Sequence, residues 1–338
     1  MKATLMVTLT VLVLQAPGRE TKKINSYIGA LKIAKPIAYK NLTIYPLTKA
    51  RGASLDYVTL DEAYAKNWLM IREIGDGEVN QVELKNSGPG TVFIMTGEML
   101  SGAKQDRMLR EDVLVPPKSD WLRVPVYCIE HGRWFSTSPI FKSSKELAPN
   151  DLRQRARITE NQSEVWDAIA SSQERLGIVS STSTVHANYD DEEFKKEVQT
   201  YERHLGRLPE LTRNTVGVVA VTGNRVICID IFASNVLISR FWIKLLRSYV
   251  MDALSEEKPV IGREDIQDLI QALSNAKHVS VGTPGLGNLY RIENDLGKGT
   301  ALIHNDKVVH LDFFIDDSQD DGGQWRLDMR REQRLNDR

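Results

Sequence analysis

Short β-prone runs separated by turn residues fill the chain between residues 42 and 141, and they constrain the fold more than any other feature. The runs cover residues 42–47, 67–74, 78–85, 91–96, 112–115 and 122–129. The breaks between them are rich in Gly, Asp, Asn, Ser and Pro, as at residues 75–77, 86–90 and 116–120. Evenly spaced short strands with such turns are typical of antiparallel sandwiches and barrels. The pattern therefore predicts an antiparallel, β-rich N-terminal half that is sandwich or barrel-like.

Helical periodicity begins after residue 158 and alternates with further strand-like runs. Apolar faces recur at helical spacing in residues 161–176, 191–205 and 234–254, and Gly223-Asn224 forms a tight turn between two strand-like runs. Within the β-rich half, Thr59 and Glu62 match a capping box for one short helix. We expect an α+β fold in which the β-rich half at 36–142 packs with a mixed helix and antiparallel-sheet half at 158–316. A polar linker at 143–157 should join the two halves of this one unit.

The two ends of the chain differ in composition from the rest. Lys2 precedes a run that is apolar apart from three threonines up to Leu14, and Ala16-Pro17-Gly18 offers small residues for cleavage. This pattern predicts a signal peptide at 1–18, cleaved near Gly18, and a secreted or periplasmic protein with no membrane span after signal removal. A buried N-terminal strand is the alternative interpretation. Residues 317–338 are rich in charge and poor in apolar side chains, which predicts a disordered tail.

Composition argues against several classes of protein. The chain carries 44 Lys and Arg against 45 Asp and Glu, a formal net charge of -1, which argues against broad electrostatic capture of nucleic acid. Its two cysteines, Cys128 and Cys228, each lie in an apolar run, so buried free thiols are favoured over a single disulfide. The sequence contains no metal-ligand spacing and no nucleotide-binding loop, so no metal and no cofactor are predicted.

Three cations share one face of the predicted helix at 234–254. Arg240, Lys244 and Arg247 are four and three residues apart, which is the spacing of neighbours on a helix surface. We expect a solvated basic face here rather than an anion site.

Two polar stretches that follow β-prone runs carry the candidate functional residues. The first runs from Gly97 to Arg107 and the second follows Cys128 up to Trp134. Functional groups commonly lie at strand ends and in loops, so we expect these stretches to approach each other. The candidates are Lys104, Gln105, Arg107 and Arg133 for binding an anion, with Glu98 and Glu130 as acid and base. The alternative is a structural ion-pair network that pins two loops together.

These two stretches resemble the ARPP-1 domain, the ARG and rhodanese-phosphatase-superfamily-associated protein domain. Its members carry similar Gly-Glu-Glu-Leu-x-Gly-Ala-Lys-Gln-Asn-Arg and Cys-Val-Glu-x-Gly-Arg-Trp segments, and the likeness extends from the helix after Thr59 to the strand around Val309. Met99 and Asp106 replace the second Glu and the Asn, and Tyr127 stands where Ser is common. The family name records an association with ADP-ribosylglycohydrolase and rhodanese-phosphatase proteins. It thereby implies a link to ADP-ribose or phosphoester metabolism, without naming an activity.

Three kinds of function follow from these observations. The leading hypothesis is an accessory or binding module in which the polar cluster holds an anionic small molecule or a partner segment. The first alternative is a hydrolase acting on a phosphorylated or ADP-ribosyl substrate, with Glu98 or Glu130 activating water. The second alternative is a structural surface protein. Convergence of the six candidate residues in a concave pocket would favour the first two, and mutual burial would favour a structural network.

Overall fold

The computed structural model describes residues 18–316 of the 338-residue chain, apart from positions 51, 54, 136 and 137. Gly18 aside, the signal peptide predicted at 1–18 lies outside the described residues, and so does the tail predicted at 317–338. Over the described residues, none of the helices combines the length and the apolar character that crossing a membrane requires.

The helices and strands follow one another in four groups. The N-terminal segment forms α1 (Arg19–Gly29), β1 (Lys32–Ile33), β2 (Ile37–Tyr39) and β3 (Leu42–Thr48). The β-rich region forms β4 (Val58–Thr59), α2 (Leu60–Ala65), β5 (Leu69–Arg72), β6 (Gln81–Asn86), β7 (Val92–Ile94), β8 (Glu98–Gly102), β9 (Arg107–Leu109), β10 (Val113–Val115), β11 (Leu122–Cys128) and β12 (Ile140–Leu147). A helical region follows with α3 (Asn150–Thr159), α4 (Gln162–Leu176), α5 (His186–Asp190), α6 (Glu192–Leu205) and α7 (Leu208–Leu211). The C-terminal region forms β13 (Thr215–Thr222), β14 (Arg225–Phe232), α8 (Asn235–Ala253), α9 (Arg263–Ser274), β15 (Lys277–Val281), β16 (Asn288–Asn294), β17 (Gly297–His304) and β18 (Lys307–Ile315).

The β-rich region closes into an antiparallel barrel with strand order β11-β6-β5-β12-β8-β9. Alternate residues such as Val82, Leu84, Val124 and Val126 are fully or almost fully buried and form its apolar interior. The small sheet β10-β7-β4 and helix α2 pack in the same core. Closure leaves these six strands without an exposed edge, which removes a route to aggregation.

A larger antiparallel sheet forms the other half, with order β1-β3-β13-β14-β18-β17-β16-β15 and with β2 also paired to β3. Helices α1 and α9 cover one face of this sheet through residues such as Ile28 and Leu269. Helix α8 packs on β13 and β14 with Phe241 and Leu245, in the same apolar core as the outer face of the barrel. Because β3 pairs with β13, strands from the two ends of the described chain meet in one sheet.

The structure confirms the predicted α+β class with an antiparallel β-rich N-terminal half. Six strands of that half close into the barrel, whereas β2 and β3 pair in the large sheet. The capping box that begins α2 is also confirmed: the Thr59 side chain accepts from the Glu62 amide, and the Glu62 carboxylate accepts from the Thr59 amide. Cys128 and Cys228 are buried free thiols, as favoured from the sequence.

The prediction of a polar linker at 143–157 is wrong. Residues 140–147 form β12, and α3 begins at Asn150. Apolar residues at helical spacing do not reveal helix α3, because polar side chains occupy part of its buried face. Arg153 is 3% exposed there, and its Nη2 lies 2.8 Å from Oδ1 of Asp230 on β14. Part of the contact between α3 and the large sheet is therefore a buried ion pair, and the spacing of apolar residues in the sequence does not detect such a contact.

Candidate functional site

Five of the six candidate residues meet at one end of the barrel. Lys104 and Gln105 lie in the turn between β8 and β9, Arg107 begins β9, and Glu130 and Arg133 follow β11 directly. Strands β9 and β11 are paired, with Arg107 opposite Cys128, so the two polar stretches are brought side by side. We call this group, together with Asp106, the barrel-end cluster.

Glu130, Arg133 and Asp106 form the central ion pairs of the barrel-end cluster. The Arg133 guanidinium donates to both Glu130 oxygens, from Nε to Oε1 at 2.9 Å and from Nη2 to Oε2 at 2.6 Å. Its Nη2 also lies 3.3 Å from Oδ1 of Asp106, and its Nη1 donates to the Ala103 carbonyl at 2.6 Å. A bidentate fork of this kind is the strongest ion-pair geometry available to arginine. These contacts pin the segment after β11 onto the β8–β9 turn.

The Glu130 carboxylate is fully engaged within this network. Burial acts to raise its pKa, but hydrogen bonds from Arg133 and from the Asp106 amide outweigh burial and hold the pKa below the usual value. The amide of Asp106 donates to Oε2 at 3.1 Å. A carboxylate kept ionised with both oxygens accepting hydrogen bonds is a poor general acid.

Lys104 lies at the rim of the cluster. Its ammonium group contacts the Asp76 carbonyl and stands 5.3 Å from the centroid of the Trp134 ring. Its backbone amide donates to Oε1 of Glu73 at 2.8 Å. Trp134 is 49% exposed and the neighbouring Phe135 is 75% exposed, so cationic and aromatic groups face solvent together at this end of the barrel.

Arg107 lies beneath that rim and is completely buried. Its Nη1 donates to the Gln105 carbonyl at 3.2 Å and to the Asp106 carbonyl at 3.3 Å, and it lies 3.4 Å from Oε1 of Gln105. The same Gln105 oxygen accepts from Sγ of Cys128 at 3.1 Å. Nε and Nη2 of Arg107 have no hydrogen-bond partner among the described residues.

No carboxylate of the described residues lies at ion-pair distance from the Arg107 guanidinium. Burial lowers the pKa of Arg107, and the more distant carboxylates of Glu73 and Asp106 oppose this effect. Arginine remains protonated in proteins, so it cannot relieve the cost of burial by losing its charge. The buried guanidinium is therefore held by neutral oxygens, and only more distant groups compensate its positive charge.

Glu98 is not part of the barrel-end cluster. It begins β8, at the far end of that strand, and is fully buried. Its Oε1 lies 2.7 Å from Nζ of Lys244 on α8, and Nζ also lies 2.7 Å from Oδ2 of Asp61 on α2. Burial raises the pKa of Glu98, and the attraction of Lys244 offsets part of this rise. The two carboxylates predicted to work as a pair are therefore held in separate networks.

The prediction of a solvated basic face on α8 is wrong, because cations of that face form ion pairs with carboxylates of other helices and strands. Lys244 is buried, and Arg247 forms ion pairs with Glu146 and Glu202, at 2.6 and 2.7 Å. The spacing on the helix is as predicted, but Lys244 and Arg247 point at the barrel half and at α6. Arg240 is the exposed member of the three, and it lies 3.5 Å from Glu62.

Sequence reasoning missed four polar residues at and beside the cluster. Oδ1 of Asp106 accepts from the Gly102 amide at 3.0 Å, and Oδ2 accepts from Oγ1 of Thr184 at 2.8 Å. Next to them, Oγ of Ser101 lies 2.8 Å from Nε2 of His186, the first residue of α5. Asp106 stands inside the conspicuous motif, but nothing in the sequence links Thr184 or His186 to residues of the β8–β9 segment.

The described chain also has a cavity of about 390 Å³ between α3 and α4, away from the cluster. Three arginines line it, but two of them, Arg175 and Arg225, are already paired with Asp151 at 2.6 and 3.0 Å. Its size suits a small molecule, yet its cations are largely neutralised, so we place the candidate site at the barrel end. No group of three or more His, Cys, Asp or Glu side chains in the described part of the chain is arranged to hold a metal ion.

A closed barrel joined to a large antiparallel sheet, with a buried unpaired arginine at the barrel end, defines an α+β protein with a candidate anion-binding cluster. The family model of the ARG and Rhodanese-Phosphatase-superfamily-associated Protein domain, ARPP-1, matches residues 30–314. The chain belongs to this family, as its two motifs predicted. No curated protein and no solved structure matches the chain.

Proposed function

We propose that this protein is a binding module for an anionic small molecule, with the anionic group of the ligand held by Arg107 at the barrel end. The observation that carries the proposal is the fully buried guanidinium whose Nε and Nη2 have no partner among the described residues. An isolated buried charge costs several kcal/mol, so a buried arginine without a carboxylate calls for a counter-charge. Carboxylates and phosphates match the planar fork formed by Nε and Nη2.

The surroundings of Arg107 favour a small ligand with one anionic group and an apolar or aromatic part. Lys104 and Arg133 add positive charge toward the rim, although Arg133 is already paired with Glu130. Trp134 offers an exposed ring beside Lys104. The family description points to proteins of phosphoester chemistry, so phosphorylated compounds and ADP-ribose lead the candidates, followed by carboxylates.

Thermal unfolding of the full chain with a panel of anions tests the proposal. The panel contains inorganic phosphate, AMP, ADP-ribose, a sugar phosphate and a dicarboxylate. A ligand at about a hundredfold its dissociation constant stabilises the folded state by roughly 2.7 kcal/mol, which raises the midpoint by several degrees. We expect at least one anion to do so.

An Arg107→Met variant and a matched control locate the effect. Methionine keeps the apolar stem and removes the charge, so the variant should lose the ligand-induced shift. It should also unfold at the same or a higher temperature without ligand, because an unpaired buried charge has been removed. Arg123→Met, on the exposed face of β11, should retain the shift. No shift with any anion, or a shift that survives Arg107→Met, contradicts the proposal.

The alternative hydrolase with Glu98 and Glu130 as acid and base receives less support from the geometry. Glu98 is held by Lys244, and Glu130 is held by Arg133 in a different part of the barrel. Export from the cytoplasm remains a prediction from the N-terminal residues, and a structural surface role remains the second alternative.

A further inference from the structure

We propose that Ser101 and His186 form a nucleophile and general-base pair that hydrolyses an ester bearing a negative charge. Oγ of Ser101 lies 2.8 Å from Nε2 of His186, which is hydrogen-bond distance. A serine hydroxyl that is hydrogen-bonded to an imidazole nitrogen is the minimal arrangement for nucleophilic catalysis by serine. Both side chains are partly exposed, so a substrate can reach them. The inference goes beyond the proposed anion binding and does not depend on Arg107.

A carboxylate and a hydroxyl lie beside His186. Oδ2 of Asp106 lies 3.7 Å from Nε2 of His186 and accepts from Oγ1 of Thr184 at 2.8 Å. The backbone amide of His186 donates to the same Thr184 hydroxyl at 3.3 Å. The Asp106 carboxylate thus lies beside the imidazolium that forms during catalysis and stabilises its charge. Asp106 approaches the same nitrogen as Ser101 rather than the opposite one, so its contribution is electrostatic.

The backbone after Ser101 has an unusual conformation. Gly102 has φ +111° and the next residue, Ala103, has φ +48°. A non-glycine residue in the left-handed region costs free energy, and such residues are enriched at functional sites. Leu100 packs in the barrel interior, so Ser101, the next residue of β8, faces the outside of the barrel, beside the β8–β9 turn that carries the barrel-end cluster.

One cation beside Ser101 determines the class of substrate. Lys142 lies directly opposite Ser101 in the β8–β12 register, so the two side chains share one face of the barrel wall. Arg133, whose Nη2 lies 3.4 Å from the Gly102 carbonyl, is already paired with Glu130 and Asp106 and adds little net charge here. The Lys142 ammonium group therefore favours an ester whose acyl part carries a carboxylate.

The reaction balances with water as the second substrate. Oγ of Ser101 attacks the ester carbonyl while its proton passes to Nε2 of His186. The tetrahedral intermediate collapses, the bond from carbon to the alkoxy oxygen breaks, and His186 returns the proton to the leaving alcohol. Water, deprotonated by His186, then attacks the carbonyl carbon of the acyl-serine. The second tetrahedral intermediate collapses, the bond from carbon to Oγ breaks, and His186 returns the proton to Oγ, which releases the carboxylic acid and restores the serine hydroxyl.

Labelling of the full chain with a fluorophosphonate probe tests the pair. An activated serine attacks phosphorus, fluoride leaves, and the adduct is located by mass spectrometry of the intact chain and its peptides. We expect a single adduct on Ser101, absent from Ser101→Ala and reduced at least tenfold in rate in His186→Asn. Ser239→Ala is the matched control, because that exposed hydroxyl donates only to the helix carbonyl of Asn235.

Circular dichroism melts of each variant establish that it is folded, and turnover of an ester completes the test. We expect hydrolysis of mono-4-nitrophenyl succinate to exceed that of neutral 4-nitrophenyl acetate, and Lys142→Ala to lower the ratio of the two rates. A folded wild-type chain that the probe leaves unlabelled overturns the proposal, as does labelling that persists in Ser101→Ala. The two proposals fail separately, because stabilisation by anions and labelling by the probe are independent measurements, and either can be absent while the other is present.

Discussion

Two buried arginines in this chain have opposite environments. Arg153 donates to Asp230 at 2.8 Å and to Asn150 at 2.9 Å, and the nearby carboxylates raise its pKa despite burial. Arg107 has only neutral acceptors, and burial lowers its pKa. The first arrangement is a structural ion pair with a carboxylate as counter-charge, although Nε of Arg153 has no hydrogen-bond partner among the described residues. The second leaves charge available for a ligand, which is why the binding proposal is centred on Arg107 rather than on the more visible ion pair of Glu130 and Arg133.

Position 97 has to be glycine because the Arg153 side chain packs directly against it. Its φ is +86°, and a Cβ at this position would lie 2.9 Å from Cδ of Arg153. Arg153 cannot move aside without breaking its ion pair with Asp230. We therefore expect Gly97→Ala to lower the free energy of unfolding by roughly 2 to 4 kcal/mol, from backbone strain plus overpacking, measured by urea denaturation.

Gly177→Ala separates the two contributions to this loss. Gly177 also has positive φ, +67°, but nothing lies within 4 Å of a Cβ built there. This variant should lose only the backbone part, roughly 1 to 2 kcal/mol. Equal losses in the two variants would mean that the contact between Gly97 and Arg153 is unimportant.

Lys244 is one of the polar contacts that join helix α8 to the barrel half. Lys244 is buried, and its ammonium group lies between Asp61 on α2 and Glu98 on β8. Breaking a buried pair by removing one partner costs roughly 3 to 5 kcal/mol, because the other charge is left uncompensated. We expect a loss of that size in the free energy of unfolding of Lys244→Met.

Replacing Glu98, which has no cationic partner in Lys244→Met, with a neutral residue should recover part of the lost stability. Glu98→Gln combined with Lys244→Met should be more stable than Lys244→Met alone, since a neutral amide in place of the carboxylate leaves no unpaired charge buried there. The comparison is made by urea denaturation at one pH. A double variant that is less stable than the single variant would show that Glu98 contributes through contacts other than Lys244.

A buried histidine lies between a carboxylate of the β-rich half and a carboxylate of the large sheet. Nδ1 of His310 on β18 lies 2.8 Å from Oδ2 of Asp112, which precedes β10. Its Nε2 lies 3.5 Å from Oδ1 of Asp230 on β14. Burial acts to lower the pKa of His310, but the two carboxylates outweigh it and raise the pKa to about 9. The histidine is therefore charged at neutral pH inside the protein.

This elevated pKa predicts a dependence of stability on pH. The folded state binds the proton more tightly than the unfolded chain, so the stabilisation is fully present below the unfolded pKa of about 6.5 and is lost as pH rises through about 9. The free energy of unfolding should fall across that window by up to roughly 3 kcal/mol. Denaturation curves between about pH 6 and pH 9.5 measure the slope.

His310→Gln should remove most of that slope and be more destabilised near the low end of this pH range than near the high end. His204→Gln, on the exposed surface of α6, is the matched control and should keep the wild-type slope. If the slope is unchanged in His310→Gln, another group dominates the titration.

The amino-acid sequence by itself determined the local structure and one local cluster. Turn residues separate the strands, Thr59 and Glu62 begin α2, and Glu130 and Arg133 are three residues apart, so short-range rules suffice for them. Family membership can also be recognised from the sequence, because each of the two motifs is an uninterrupted stretch of residues.

Only the tertiary structure decided which distant groups meet. Glu98 finds its partner Lys244 146 positions later, β3 pairs with β13, and His186 reaches Ser101 from a separate helix. Periodicity reports which face of an element is apolar, but not which element covers that face. It also fails where the inward face is polar, as at Arg153 in α3. Contacts between distant parts of the chain depend on how its strands and helices are arranged in space, and no local pattern of residues records that arrangement.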